Sequence, residues 1–343
     1  MAKPKMDEGK VVNLSMSNLD IFPDVEQADI VSELLLQNNR ITILPRCICD
    51  FQNLTTLNIS NNGMTYLSPE LCRLTKLKTL VARNNYFENV SLPKELALMQ
   101  SLEVVNLSGN QLTEFPKQLT HLPFLRALFL GANSIKSVPS SIGNLTSLEI
   151  LYLGGNCLQQ IPFEIGLLTS LVSLILADNR LKSLPPTFAN LQHLESLNLH
   201  NNQLSILPPE IVTLNLVELS LRNNPLVVRF VQDLVFEPPS LLELAGRVIK
   251  VRNVGYSASE LPQSLIQYLD TAQRCVNPKC KGVYFTSRVK HVKFVDFCGK
   301  YHIPLQEYLC SPTCTDYPAI CSSSSEDESE EEVGVKIKKV LLG

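Results

Sequence analysis

Over most of the chain, apolar residues fall in short alternating runs, each closed three residues later by an asparagine. Clear copies are Leu57-Asn-Ile59-Ser-Asn-Asn62, Leu151-Tyr-Leu153-Gly-Gly-Asn156, Leu174-Ile-Leu176-Ala-Asp-Asn179 and Leu197-Asn-Leu199-His-Asn-Asn202. Alternation with period two predicts a short strand whose apolar side chains share one face. The asparagines recur at Asn39, Asn62, Asn85, Asn110, Asn133, Asn156, Asn179, Asn202 and Asn224, at intervals of 23, 23, 25, 23, 23, 23, 23 and 22 residues. A fixed period of this kind means one small unit stacked on copies of itself, each leaning on its neighbours for a core. The asparagine can bond backbone groups where the strand turns away. A Leu-Pro or similar pair follows most asparagines, as at Leu44-Pro45, Phe115-Pro116, Val138-Pro139, Ile161-Pro162, Leu184-Pro185 and Leu207-Pro208. Proline ends the extended segment and predicts a short convex helix or turn. Residues 14–23 fit the same frame with Ser17 in the asparagine place. The count is therefore ten units, the first an atypical cap. The two extra residues between Asn85 and Asn110 predict a bulge at 88–91, either a tolerated insertion or a contact loop.

These runs resemble the leucine-rich repeat. The resemblance implies an α/β fold: a leucine-rich-repeat solenoid over residues 11–235, behind a flexible 1–10 segment, with a curved parallel sheet on its concave face. Side chains between the inward leucines line that face. They read Val81, Arg83 and Asn106, then Phe129, Ile150, Tyr152 and Ile175, then Asn198, His200 and Arg222. The middle group is apolar and is flanked by Gly131, Gly154 and Ala177. An apolar patch with a polar rim predicts a site for a target protein, unless the aromatics only stack on one another. His200 reads as a lone histidine without a partner.

The repeat pattern stops near Phe236. Ser240 and Glu243 have capping-box spacing, and the apolar run Leu241, Leu242, Leu244, Val248 and Ile249 behind them predicts a helix over 240–252. A second amphipathic segment runs through Leu261, Pro262, Leu265, Ile266, Tyr268 and Leu269, with its proline suited to a first helical turn. Helices here would cap the open end of the solenoid. Residues 236–273 also resemble the suppressor-of-cytokine-signalling (SOCS) box. That resemblance implies an elongin-binding helix carried by Ser240, Leu241, Ala245 and Ile249. It also implies a cullin-selecting segment carried by Leu261, Pro262, Leu265, Tyr268 and Leu269. Its partners would be elongin B, elongin C and a cullin with its RING subunit. Alanine stands where cysteine is usual, and the Leu-Pro lacks a second proline, so cullin 2 and cullin 5 both stay open.

Residues 274–316 carry Cys275 and Cys280, Cys298, then Cys310 and Cys314. Two close pairs about thirty residues apart suit either one structural zinc held by Cys275, Cys280, Cys310 and Cys314, or ordinary reduced thiols. Cys298 is a spare ligand or core. It follows Val292, Phe294, Val295 and Phe297, which read as a strand between the pairs.

Composition changes this picture little. The chain has 343 residues, 45% of them apolar, and a formal charge of −3, to which the acids of residues 326–332 alone contribute −6. That balance does not suggest a nucleic-acid partner. No run approaches the roughly 18 apolar residues of a membrane helix, and no signal segment follows the charged start, so a cytosolic or nuclear protein with no membrane partner is expected. In a reducing compartment the ten cysteines are thiols or metal ligands; Cys47, Cys49, Cys72 and Cys157 lie inside the repeats. Residues 317–343, rich in serine and acid, read as a flexible segment open to acid-directed kinases. No phosphate loop, nucleophile elbow or paired-carboxylate constellation points to an enzyme. Gly282-Val-Tyr-Phe285, the run 293–301 and Lys339-Val-Leu-Leu-Gly343 extend the resemblance along nearly the whole chain, to intracellular leucine-rich-repeat proteins with a SOCS-box-like, cysteine-rich end. It implies a substrate-recognition adaptor of a cullin-RING ubiquitin ligase; the alternative is a ligase-independent scaffold.

Overall fold

The structure, a computed structural model, describes residues 5–7, 11–226, 239–257, 260–277, 280–297, 301–311, 314 and 339–341. Among these residues, ten successive repeat strands of three residues each run parallel and in register. They are β2 (Val11–Asn13), β3 (Glu33–Leu35), β4 (Thr56–Asn58), β5 (Thr79–Val81), β6 (Val104–Asn106), β7 (Ala127–Phe129), β8 (Ile150–Tyr152), β9 (Ser173–Ile175), β10 (Ser196–Asn198) and β11 (Glu218–Ser220). Each centres on a residue no more than 1% exposed, such as Val105, Leu128, Leu151 or Leu219. β1 (Lys5–Asp7) pairs antiparallel with β2 at one end.

The first repeat returns through the three-residue 3-10 helix Ala28–Ile30, and those from β3 to β10 through five-residue ones, for example Ser140–Asn144, Phe163–Leu167 and Pro186–Asn190, with Pro139, Pro162 and Pro185 at the N-caps. Proline presets the backbone at the turn, and one buried residue per helix, such as Ile142, Ile165 or Phe188, anchors it to the core. The two-residue insertion forms one more 3-10 helix, Asn89–Ser91, capped by Glu88, at the position the spacing predicted.

The ladder asparagines join neighbouring repeats. Asn62 donates to Leu36 O (3.0 Å) and Ile59 O (3.1 Å) and accepts from Ile41 N (3.0 Å). Asn179 repeats this with Leu153 O, Leu176 O and Leu158 N. A second ladder runs one residue earlier, on the surface. Asn61, Asn84, Asp178, Asn201 and Asn223 all have positive φ, which their short polar side chains tolerate. They bond in series, Asn84 to Asn61 at 2.7 Å and Asn201 to Asp178 at 2.6 Å. In the middle repeats Gly109 and Gly155 take this left-handed place.

By chain contacts the protein divides into two compact units. The first holds residues 1–205, 210–225 and 335–343, and the second 206–209 and 226–334. Within the first, β16 (Lys339–Leu341) extends the sheet, parallel to β11. The sequence placed these three residues in the flexible tail. As a strand they instead supply the ladder partners that β11, at the sheet edge, would lack. The rest of the acidic segment lies outside the described residues.

The second unit holds α1 (Leu241–Val251), α2 (Gln263–Asp270), a short pair of β12 (Gln273–Arg274) with β13 (Val283–Tyr284), and a hairpin of β14 (Val289–Phe297) with β15 (Tyr301–Leu309). The strand expected between the cysteine pairs is β14. The SOCS-box-like helices and the cysteine-bearing segment, read from sequence as separate stretches, belong to this one unit. Among the described residues no helix is long and apolar enough to cross a membrane.

Candidate functional site

The parallel register arranges the sheet-facing residues of the repeats in rows. Val81, Asn106, Phe129, Tyr152, Ile175 and Asn198 are successive partners across β5 to β10. Ile150 stands in the adjoining row, between Ala127 and Ser173. The expected apolar patch is therefore contiguous. Phe129 and Tyr152 also touch, with ring centroids 6.4 Å apart and planes at 40°. Tyr152 lies over Gly131, where a Cβ would come within 1.8 Å of the ring, so the small neighbours shape the patch. Arg83 and Arg222 are exposed at its polar ends.

His200 is not alone, contrary to the sequence reading. Its Nδ1 lies 2.6 Å from Asn198 Oδ1 and its Nε2 3.4 Å from Asp178 Oδ2. The solenoid brings these three together from two adjacent repeats, which linear spacing did not reveal. Asn198 and His200 border a recess of about 620 Å³ lined also by Ile175, Glu218 and Arg222.

In the second unit, Ser240 caps α1 by accepting from Glu243 N (3.1 Å). Glu243 does not complete the capping box. Its side chain, 1% exposed, turns inward and accepts from Arg247 (2.6 Å), Ser287 N (2.9 Å), Phe285 N (3.2 Å) and the Thr286 hydroxyl (2.9 Å). Burial alone would raise its pKa; these donors outweigh burial and hold it at about 2. Gly246 packs on the same side, close enough to the Phe285 ring that a Cβ would sit 3.0 Å from it.

The apolar stripe of α1 consequently faces outward. Leu241 is 86% exposed, and Leu244, Ala245 and Val248 beside it are exposed as well. Ile249 is half-buried. Positions 241, 244, 245 and 248 follow the one-face helical spacing, so Leu244 and Val248, read from sequence only as part of the helix's apolar run, share the exposed face with Leu241 and Ala245. Of the second group, Pro262 is exposed while Leu261 and Leu265 are half-buried. Leu269, at 3% exposure, packs inward near Gly246, and Tyr268 stacks on Phe285 at 4.5 Å and 11°. These two side chains build the unit; their packing leaves Leu269 closed to a cullin.

The Sγ atoms of Cys275, Cys280, Cys310 and Cys314 all lie within 4.8 Å of one another. Burial and the neighbouring thiols push Cys310 up. At Cys314 burial acts in the same sense but is outweighed by hydrogen bonds from Ser311 and the other thiols, so its pKa falls. This grouping can hold a metal ion. Cys298 lies outside the described residues. The repeat cysteines are separate: Cys47 is exposed, and burial raises the Cys72 thiol to about 11.

Fold and repeat register together define a leucine-rich-repeat protein, of the class that works by binding other proteins. Leucine rich repeat family profiles match residues 125–181 and 169–226, with further repeat profiles at 52–94 and 101–122. Among curated proteins, leucine-rich repeat-containing protein 58 of Xenopus tropicalis is 50% identical over 92% of this chain and 91% of its own. The protein of the same name from Homo sapiens is 61% identical over 26% of this chain and 24% of its own. The chain belongs to the leucine-rich repeat-containing protein 58 family. Among solved structures it is similar to the Arabidopsis receptor kinase HAESA in complex with the peptide hormone IDA and the co-receptor SERK1 (TM-score 0.55, 29% identity, 63% of this chain and 38% of that one). It is also similar to the plant peptide hormone receptor RGFR1 in complex with RGF2 (TM-score 0.50, 32% identity, 57% of this chain and 36% of that one). The match spans little more than a third of each receptor chain.

Proposed function

We propose that the protein is a substrate-recognition adaptor of an elongin-containing cullin-RING ubiquitin ligase. The concave row from Val81 to Asn198 holds the target, and α1 docks on elongin C with Leu241 as the leading side chain. One observation carries this reading: α1 buries a polar face and presents an apolar one. Leu241 at 86% exposure is unfavourable in water unless a partner covers it. A helix offering apolar groups at positions 241, 244, 245 and 248 suits insertion into an apolar groove. Pro262, with the accessible parts of Leu261 and Leu265, is left for cullin 2 or cullin 5. The protein positions its target and performs no chemistry itself.

Co-purification from cells tests this. Elongins B and C recovered with the wild type and lost with Leu241→Asp support the adaptor. Their absence from both samples would refute it and leave the ligase-independent scaffold, in which the concave face works without α1.

A further inference from the structure

We propose that Cys275, Cys280, Cys310 and Cys314 bind one zinc ion as four thiolates, and that this ion fastens α1 in the orientation that turns Leu241 outward. The second part deepens the adaptor reading and rests on it for its functional meaning.

The sulfur geometry comes first. Cys280 and Cys310 Sγ are 3.8 Å apart, and Cys310 and Cys314 Sγ 3.3 Å. A disulfide needs about 2.05 Å, so these are not bonded pairs. Four thiolates about 2.3 Å from one zinc stand roughly 3.8 Å from each other at the corners of a tetrahedron, close to the separations seen. The surroundings are built for anionic sulfur. Gly282 N donates to Cys280 Sγ (3.3 Å), Cys310 N to Cys275 Sγ (3.4 Å) and the Ser311 hydroxyl to Cys314 Sγ (3.5 Å). Gly282 leaves no room for a side chain: a Cβ there would lie 2.6 Å from Cys310 Sγ. Binding exchanges four S–H bonds for four Zn–S bonds and releases four protons, leaving a site of charge −2.

The cysteine-bearing end of the unit gains from such a cross-link. The buried core around the cysteines is Cys275, Val289 and Leu309, with the other three thiols packed on it. So small an apolar core does not order two segments by itself. One ion would join Cys275 and Cys280, ahead of β13, to Cys310 and Cys314, beyond β15, and so close residues 275–314 into a loop.

Arg247 carries that closure to the helix. Its Nη1 donates to Cys310 O (2.7 Å), and its Nη2 to Ser287 O and to Glu243. Glu243 in turn takes the N–H groups of Phe285 and Ser287, inside the same loop. The long-range polar anchors of Glu243 and Arg247 thus end inside the loop the metal would close, while Lys250 on the same face is tied to Tyr256 and Asp270 outside it. The guanidinium, one bond from a ligand backbone, also offsets part of the negative charge. If the ion leaves, Arg247 and Glu243 lose fixed partners together, and α1 loses what distinguishes its inner face from its outer one.

The test uses the full-length protein. Elemental analysis of chain purified without chelator should give one zinc per chain, and Cys310→Ser and Cys314→Ser should lose it. Zinc-free wild type, or iron in its place, overturns the site. Hydrogen exchange is then compared before chelation, after it and after zinc(II) is restored, with metal content checked each time. Residues 241–251 and 283–289 should exchange roughly tenfold faster in stripped protein and recover with zinc, while residues 57–221 stay unchanged. Unchanged exchange in α1 after proven metal loss overturns the fastening. Neither readout involves elongin, so failure of elongin capture would sink the adaptor reading alone. Full elongin capture by zinc-free protein would sink the fastening alone.

Discussion

Asn156 is 7% exposed and spends its whole side chain on backbone: it donates to Leu130 O and Leu153 O and accepts from Ile135 N, all within 3.0 Å. Truncation leaves the buried Ile135 N–H without its acceptor, at about 1–3 kcal/mol, while Leu130 O and Leu153 O each lose one of two donors and keep Asn133 and Asn179. Asn156→Ala should therefore destabilise the repeats by roughly 2 kcal/mol, read as a lower urea midpoint; a change below about 0.5 kcal/mol would mean that water replaces the side chain freely. Glu243 makes a pH prediction. Its carboxyl is held at about 2 against an ordinary 4.5, so its stabilisation is complete above pH 4.5 and lost as the pH falls toward 2. The linked free energy is roughly 3 kcal/mol for the second unit. Thermal unfolding at pH 5 and pH 3 checks this. Wild type should lose stability over that interval, whereas Glu243→Gln should start lower at pH 5 and fall less.

At the scale of elements, α1 separates stability from docking. Leu241 opens the helix, is exposed, and contributes nothing to the core, so Leu241→Asp should leave the melting temperature unchanged or slightly raised, since an acid favours a helix N-terminus by about 0.3–1 kcal/mol. A large drop in stability would show that Leu241 packs within the protein. The helix boundaries, the Ser240 cap and the stripe at 241, 245 and 249 were legible in sequence because each depends on local spacing. Which face turned inward was not. An apolar stripe conventionally marks the buried side; here the preference is reversed by one ion pair, Glu243 with Arg247, whose acceptors and donors lie some forty to sixty residues away. Tyr268 and Leu269 were assigned to a partner for the same reason, since nothing near them in sequence announces Phe285 as their neighbour.

At the scale of the whole molecule, stacking makes each repeat the lid of the one before, which leaves the last strand to be covered. Lys339–Leu341 cover β11. Removal of residues 335–343 should raise hydrogen exchange at Leu219 and Leu221 while Leu57 and Leu80 stay protected, because coupling in such arrays runs between nearest neighbours. Equal exchange in both proteins would show that β16 adds nothing to the last repeat. Stacking also creates the concave row: Phe129, Tyr152 and Ile175 are 23 residues apart in sequence and adjacent in space.

The sequence alone determined the repeat number, the strand positions, the insertion at 88–91 and the direction each sheet residue faces, because a solenoid repeats one local rule and its contacts recur at a fixed interval. It also named the four cysteines. Only the tertiary structure decided that their sulfurs converge, that His200 meets Asp178 and Asn198, that the chain's last strand joins the sheet, and that α1 shows its apolar face to water. Each of these rests on groups brought together across irregular separations, where long-range hydrogen bonds and packing outweigh local preference.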